Sequence, residues 1–176
     1  MNPMRSFEAT MLPQLDSGYN LARWLLHDDA SAEDAVQESV LRALRYFDKL
    51  QGDDARALFL GIVRNVCFTQ LKERTGRKEV SGMDEEALEA LQFASGQTQA
   101  EPSAALQQTM ERQHINAALR ALTPALREVL VLREMEGLEY AQIALVASVP
   151  IGTVMSRLSR ARASMRELLT QSGVRK

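Results

Sequence analysis

Apolar positions along the chain recur at steps of three and four, without the alternation that a strand requires. Pro13 precedes a periodic run through Leu21, Ala22, Trp24 and Leu25 that Asp28-Asp29 ends, which predicts a helix over about 14–27. Ser31 reads as an N-cap with Asp34 three residues on, opening a second helix to about Asp48. Its apolar stripe is Val36, Val40, Ala43, Leu44 and Phe47, and Asp34, Gln37, Glu38 and Arg45 lie across from it. After Gly52-Asp53-Asp54, a third helix over about 54–74 places Ala55, Phe59, Ile62, Val63 and Val66 on one side, with Gly61, Asn65, Phe68 and Lys72 opposite.

Further along, Pro102-Ser103 precedes a helix to about Leu122, and Thr123-Pro124 supplies an N-cap followed by Pro at the first helical position. That next helix carries Leu126, Val129, Leu130 and Leu132 and stops at Gly137, the expected left-handed residue. A short helix, Glu139 to Ala147, the tight connection Ser148-Val149-Pro150 and a last helix from about Ile151 to Leu169 have the form of a helix-turn-helix. In the last helix Val154, Leu158, Ala161, Met165 and Leu168 make one apolar stripe. Ser156, Ser159, Arg160 and Ala163 oppose it, flanked by Thr153, Met155 and Arg166. Small side chains there permit close approach to a major groove, and Arg can read guanine or hold phosphate.

Charge divides the chain where periodicity alone does not. The net charge of -2 averages three blocks. Residues 1–78 balance, residues 79–111 hold seven acidic side chains and no Lys or Arg, and residues 112–176 hold ten basic against five acidic. The acidic block is also rich in Ser, Gly, Gln and Thr, so about 77–102 is expected to be a linker. The fold expectation is therefore all-α: a helical domain over 1–76, an acidic flexible linker over 77–102 and a second helical domain over 103–176.

Candidate chemistry narrows the function. The longest apolar runs, such as Leu58 to Val63, fall far below the roughly 18–20 residues of a membrane span. With no secretory signal visible near the start, a cytoplasmic protein is expected. Cys67 is the only cysteine, and His27 and His114 lie far from it, so no metal spacing exists and no cofactor is implied. Cys67 reads as a small buried filler. There is no phosphate-binding Gly loop and no HExxH, which argues against an enzyme. Asn65, Phe68 and Lys72 suit an unpaired nucleic-acid strand, since bases stack on rings and phosphates pair with Lys, although Phe68 suits packing on the first helix equally well.

Three segments in order carry a resemblance: Ala32-Glu33-Asp34-Ala35-Val36-Gln37-Glu38; Ala57 to Leu71 with Ile62-Val63-Arg64-Asn65; and Leu126-Arg127-Glu128-Val129 through Gly137-Leu138-Glu139-Tyr140-Ala141-Gln142-Ile143-Ala144 to Gly152-Thr153-Val154-Met155-Ser156-Arg157-Leu158-Ser159-Arg160-Ala161-Arg162. With the acidic linker between them, the chain resembles the extracytoplasmic-function (ECF) sigma factors of the sigma-70 family, promoter-specificity subunits of bacterial RNA polymerase. The resemblance implies that the first domain is the sigma region 2 bundle and the last the region 4 helix-turn-helix. It implies that Asp34, Gln37, Glu38 and Arg42 dock on the polymerase β' coiled coil, with the β flap as a second polymerase contact. It implies that Gly52, Asp53, Asp54 and Ala55, with Arg64, Asn65, Phe68 and Lys72, capture the non-template strand of the -10 element. Thr153, Met155, Ser156, Arg157, Ser159 and Arg160 would enter the major groove of the -35 element. An anti-sigma factor is the further implied partner. Met155 and Ser159 stand where relatives often carry Arg and a larger side chain, so the promoter sequence does not carry over. An ordinary helix-turn-helix repressor explains the last domain and leaves the polar helix and acidic linker without a role.

Overall fold

The computed structural model describes residues 3–47, 54–77 and 104–173, and among these every regular element is helical. In chain order they are α1 (Pro3–Met11), a 3-10 turn (Leu12–Gln14), α2 (Leu15–Leu26), α3 (Asp29–Arg45), α4 (Ala55–Arg77) and α5 (Ala104–Ala121). There follow α6 (Pro124–Leu130), which runs into a π-helical turn (Val131–Met135), then α7 (Tyr140–Ala147) and α8 (Ile151–Gln171). Apart from Arg77 the expected linker lies outside the described residues, as do Gly52 and Asp53.

α2, α3 and α4 form a three-helix bundle against which α1 packs, with Phe7 meeting Phe47 edge-on at 5.2 Å. Leu21, Ala22, Leu25 and Leu26 of α2 are buried against Phe59, Leu60, Val63, Val66 and Cys67 of α4. A Cβ on Gly18 would lie 2.9 Å from the Phe59 ring, so α2 and α4 approach this closely only because position 18 has no side chain.

Two expectations for α3 are corrected. Its cap is Asp28, not Ser31: Asp28 has extended φ/ψ, and its carboxylate accepts from the Ser31 amide at 2.8 Å. The Ser31 hydroxyl and amide hydrogen bonds hold the Asp28 carboxyl below its usual range. Of the predicted stripe Ala43 and Phe47 are buried, Val36 and Val40 are half-buried and Leu44 is exposed, while the fully buried line along α3 runs through Ala32, Ala35, Ser39 and Ala43. α3 is crossed by both α2 and α4, and small side chains let both backbones come close. The Ser39 hydroxyl stays satisfied there by donating to the Ala35 carbonyl at 2.6 Å.

In the C-terminal half, Thr123 precedes Pro124 at the first turn of α6, and Gly137 takes the left-handed φ of 66° that ends the helical run, as expected from sequence. Glu139 and Gln142 close a capping box at α7. Ser148, at φ 53°, turns the chain through Val149 and Pro150 into α8, whose axis stands 98° from that of α7. Val154, Leu158 and Ala161 of α8 are buried with Ile143 and Val146 of α7 and Val129 and Leu132, and Met165 and Leu168 pack at the edge. The predicted apolar stripe of the last helix is thus the one that packs.

Candidate nucleic-acid and polymerase interface

Burying that stripe turns the opposite face of α8 to solvent. Met155, Ser156, Ser159 and Arg160 are exposed on it, Met155 by 54%, and Thr153 is half-buried. The Ser156 hydroxyl donates to the Thr153 carbonyl at 3.0 Å, which leaves its lone pairs outward. Arg157 departs from the group: it turns inward and places Nη1 3.3 Å from the Glu128 carboxylate. Arg162 pairs with Glu134 at 2.8 Å.

On α4, Asn65 and Lys72 are exposed, and Asp54 is exposed just before the helix. Ala55 is buried, so its methyl belongs to the bundle. Phe68 is half-buried at the edge of the core and carries the Arg64 guanidinium 4.0 Å above its ring. Arg64 itself donates Nε to Glu128 at 2.8 Å. Gly61 on the same face lies against the Val146 backbone of α7, where a Cβ would come within 3.7 Å of its carbonyl oxygen. The helix-turn-helix therefore covers the N-terminal part of the predicted strand-binding face, and the part from Asn65 to Lys72 stays open.

On α3, the face opposite the small stripe exposes Asp34, Gln37, Glu38 and Arg42, with Glu38 and Arg42 paired one turn apart. Leu41 projects from the same surface, 61% exposed. It lies at the i+3 and i+4 positions from Glu38 and Gln37, and sequence periodicity did not single it out because an isolated Leu beside charged residues carries no pattern.

Two family descriptions match this architecture: Sigma-70 region 2 over residues 12–77 and Sigma-70, region 4 over residues 112–165. The RNA polymerase sigma-H factor of Pseudomonas aeruginosa is 32% identical over 170 residues, covering 94% of this chain and 86% of its own. The ECF RNA polymerase sigma-E factor of Salmonella typhimurium strain LT2 is 36% identical over 133 residues, 73% of this chain and 69% of its own. The chain belongs to the ECF sigma factors of the sigma-70 family.

As a sigma factor it is of a family of transcription initiation factors, not one known for catalysis. Among solved structures, the sigma factor RpoE in complex with the anti-sigma factor NepR from Bartonella quintana aligns with TM-score 0.69 and 27% identity, over 94% of this chain and 98% of that one. CnrH, solved with the cytosolic domain of CnrY, shares the fold at TM-score 0.63 and 20% identity, over 96% and 90%. No single described helix of this sigma factor is long and apolar enough to cross a membrane.

Sequence reasoning missed the polar groups that join the two halves of the sigma factor. Glu128, fully buried, accepts from Arg64 of α4 and Arg157 of α8; burial raises its pKa against the lowering pull of both arginines. Glu136, placed by the π-helical turn before it, accepts from Asn20 at 2.6 Å and Arg56 at 2.8 Å. Arg127 is buried and donates to the Leu119 and Arg120 carbonyls at the end of α5, and to the Trp24 carbonyl of α2 at 3.1 Å. These carbonyls lie at helix C-termini, where a cation is favoured. All three side chains sit in segments that the resemblance matched, but the partners that tie them to the other helices lie up to 116 residues away.

His27 ends α2 in the left-handed region at φ 58° beside this junction. Partial burial, then the charges of Arg127 and Arg120, lower its imidazole from 6.5 to about 4. The folded pKa is depressed, so the unfolded chain binds the proton first as pH falls, and stability present above pH 6.5 is lost progressively toward pH 4. His27→Asn, which tolerates the same backbone, is expected to flatten the fall of Tm between those pH values. Calorimetric melts of both proteins check this, and parallel slopes would remove His27 as the cause. The Cys67 thiol is buried in the bundle, as expected of a small filler, and that burial pushes it up to about 12.

Proposed function

We propose that this sigma factor docks on bacterial core RNA polymerase through α3 and directs it to promoters whose -35 duplex α8 reads and whose -10 non-template strand α4 captures. The observation that carries the reading is the division of exposed faces: a polar surface with one apolar residue on α3, an amide and a cation on α4, and small polar groups with Arg160 on α8. Each lies opposite a packed stripe, so each is held rigidly while free of any core role.

In this reading Asp34, Gln37, Glu38, Arg42 and Leu41 form the β' contact. Asp54, Asn65, Phe68 and Lys72, with Gly52, Asp53 and the Ala55 backbone, receive the single strand: Phe68 offers a ring edge, Asn65 hydrogen bonds and Lys72 a phosphate partner. Catching unstacked bases there repays the few kcal/mol that unstacking costs. Thr153, Met155, Ser156, Ser159 and Arg160 face the major groove, and Arg157 supports them from Glu128. A shallow groove of about 430 Å³ lined by Ile115, Leu119, Leu130, Val131, Met135 and Met165 offers the β flap an apolar seat. An anti-sigma factor that covers such faces would hold the protein inactive in the cytoplasm.

Size-exclusion chromatography with sigma-free core polymerase tests the reading: a stoichiometric complex that initiates at selected promoters is expected, and no complex together with tight operator-like binding by the free chain would overturn it. Arg160→Ala is expected to cost about 1–3 kcal/mol, roughly 5- to 150-fold, in holoenzyme affinity for a preferred -35 element. Gel-shift competition across -35 variants checks it, since an equal loss on every sequence marks a phosphate contact instead of a base contact.

A further inference from the structure

The outward face of α8 has two unlike sides. At the helical repeat, Thr153 and Arg160 lie to one side of Ser156 and Ser159, and Ile151 and Met155 lie to the other. Ile151 is 47% exposed, Met155 is exposed one turn further along, and neither joins the stripe of Val154, Leu158 and Ala161 that packs. An exposed aliphatic residue is ordinary by itself. This pair, however, occupies the first two turns of the second helix of a helix-turn-helix, the turns that meet base edges when such a helix enters a major groove. Beyond it the same flank turns basic: Arg162 and Arg166 follow two and three turns after Met155 and line, with it, Tyr140 and Ser159, a shallow hollow of about 210 Å³. Glu134 holds Arg162 at 2.8 Å, and the Arg133 guanidinium lies 5.1 Å from the centre of the Tyr140 ring, so the wall of that hollow is braced.

We propose, resting on the promoter reading above, that Ile151 and Met155 select T·A pairs in the -35 element by packing on the C5 methyl groups of thymine. That methyl is the one apolar group that base pairs present in the major groove. Ile151 has no polar side-chain atom, and Met155 has only a thioether, a weak acceptor with no proton to donate. Set against guanine, cytosine or the amino group of adenine, either side chain strips water from groups it cannot pair. Set against thymine, it covers the methyl and leaves the O4 acceptor to a hydroxyl such as that of Ser159, one turn on from Met155. Selectivity therefore comes from a gained contact and from a penalty against the other bases together. Side chains one turn apart have Cβ atoms about 5–6 Å from each other, near twice the ~3.4 Å rise of the duplex, so the pair acts within about two base-pair steps. The basic end of the flank takes phosphate, which fixes the register and reads no sequence.

Thymine-to-deoxyuridine replacement tests this, because it keeps base pairing and removes only the methyl. Holoenzyme assembled from the full chain and sigma-free core polymerase first selects duplexes from a randomised pool, and each thymine on either strand of the enriched -35 block is then replaced in turn. For the wild type, at least one replacement is expected to weaken binding roughly fourfold in gel-shift competition, the worth of one buried methyl. The penalty is expected to persist in Met155→Leu, to fall in Met155→Ala and to vanish when Ile151→Ala is added. Arg166→Ala is expected to weaken binding to thymine and deoxyuridine duplexes alike. Both aliphatic side chains are exposed, so the Tm of each variant should stay close to that of the wild type. A -35 block without thymine, or replacements that leave wild-type affinity unchanged, would overturn the proposal and leave the promoter reading standing. So would a penalty that survives in the double alanine variant, and if that variant also binds core polymerase more weakly, the apolar flank belongs to a protein contact. A pool in which no -35 block is enriched would instead sink the promoter reading and the thymine preference with it.

Discussion

Glu128→Ala is expected to lower the unfolding free energy by about 3–5 kcal/mol. The carboxylate is fully buried, and its two arginines are themselves mostly covered, with side-chain exposures of 18% for Arg64 and 20% for Arg157. Removing it leaves two cations in a poorly solvated space without an anion, and the cost is their stranding more than the lost attraction. Glu128→Gln keeps the shape and one acceptor oxygen, so it is expected to fall between wild type and Ala. Arg64→Met is expected to cost less than either, because Arg157 still satisfies the carboxylate. Urea denaturation with a common slope checks the order. A loss below about 1 kcal/mol for the Ala variant would mean that desolvation of Glu128 cancels what the arginines return.

Replacing Asp34, Gln37 and Glu38 together with alanine is expected to abolish stoichiometric co-elution with core polymerase while leaving the fold intact. The three side chains are exposed on α3, and the tie of Glu38 to Arg42 is a surface pair worth ~0.3–0.5 kcal/mol. Exposed substitutions of this kind usually move stability by no more than about 0.5 kcal/mol each, so Tm should hardly change. If they sit at the centre of the docking surface, truncation at roughly 1–2 kcal/mol apiece weakens the complex by about 10²- to 10⁴-fold. Leu41→Ala belongs to the same surface and is expected to weaken binding without affecting the core, because the side chain is 61% exposed. Unchanged co-elution of the triple variant with a normal Tm would move the docking face off α3.

How far the site was legible depends on the kind of signal each residue carries. The outward face of α8 followed from periodicity, because one stripe of Val154, Leu158 and Ala161 is packed and the rest of the helix must face away. The exposed face of α3 follows from sequence although its packed stripe does so only at Ala43 and Phe47. Asp34, Gln37 and Glu38 are polar enough to stay outside under either register, whereas Ala32 and Ala35 give a weak hydrophobic signal that Leu44 and the valines masked. The cap was misplaced by three residues because Asp28, Asp29 and Ser31 are all competent caps, and only the extended backbone at Asp28 selects one.

By itself the sequence determined that the chain is helical, where its helices turn, and which faces of α3 and α8 remain for partners. These are local properties, set by spacing, caps and turn residues within a few positions of each other. Only the tertiary structure decided that Arg157 and Arg64 turn inward to one carboxylate, that Glu136 meets Asn20 and Arg56, and that Gly61 lies beneath α7. An ion pair leaves no periodic trace, and an arginine on an otherwise polar helix face looks the same whether it reaches for solvent, phosphate or a buried glutamate. The long-range approach of two helical halves is what removes water from that choice and decides it.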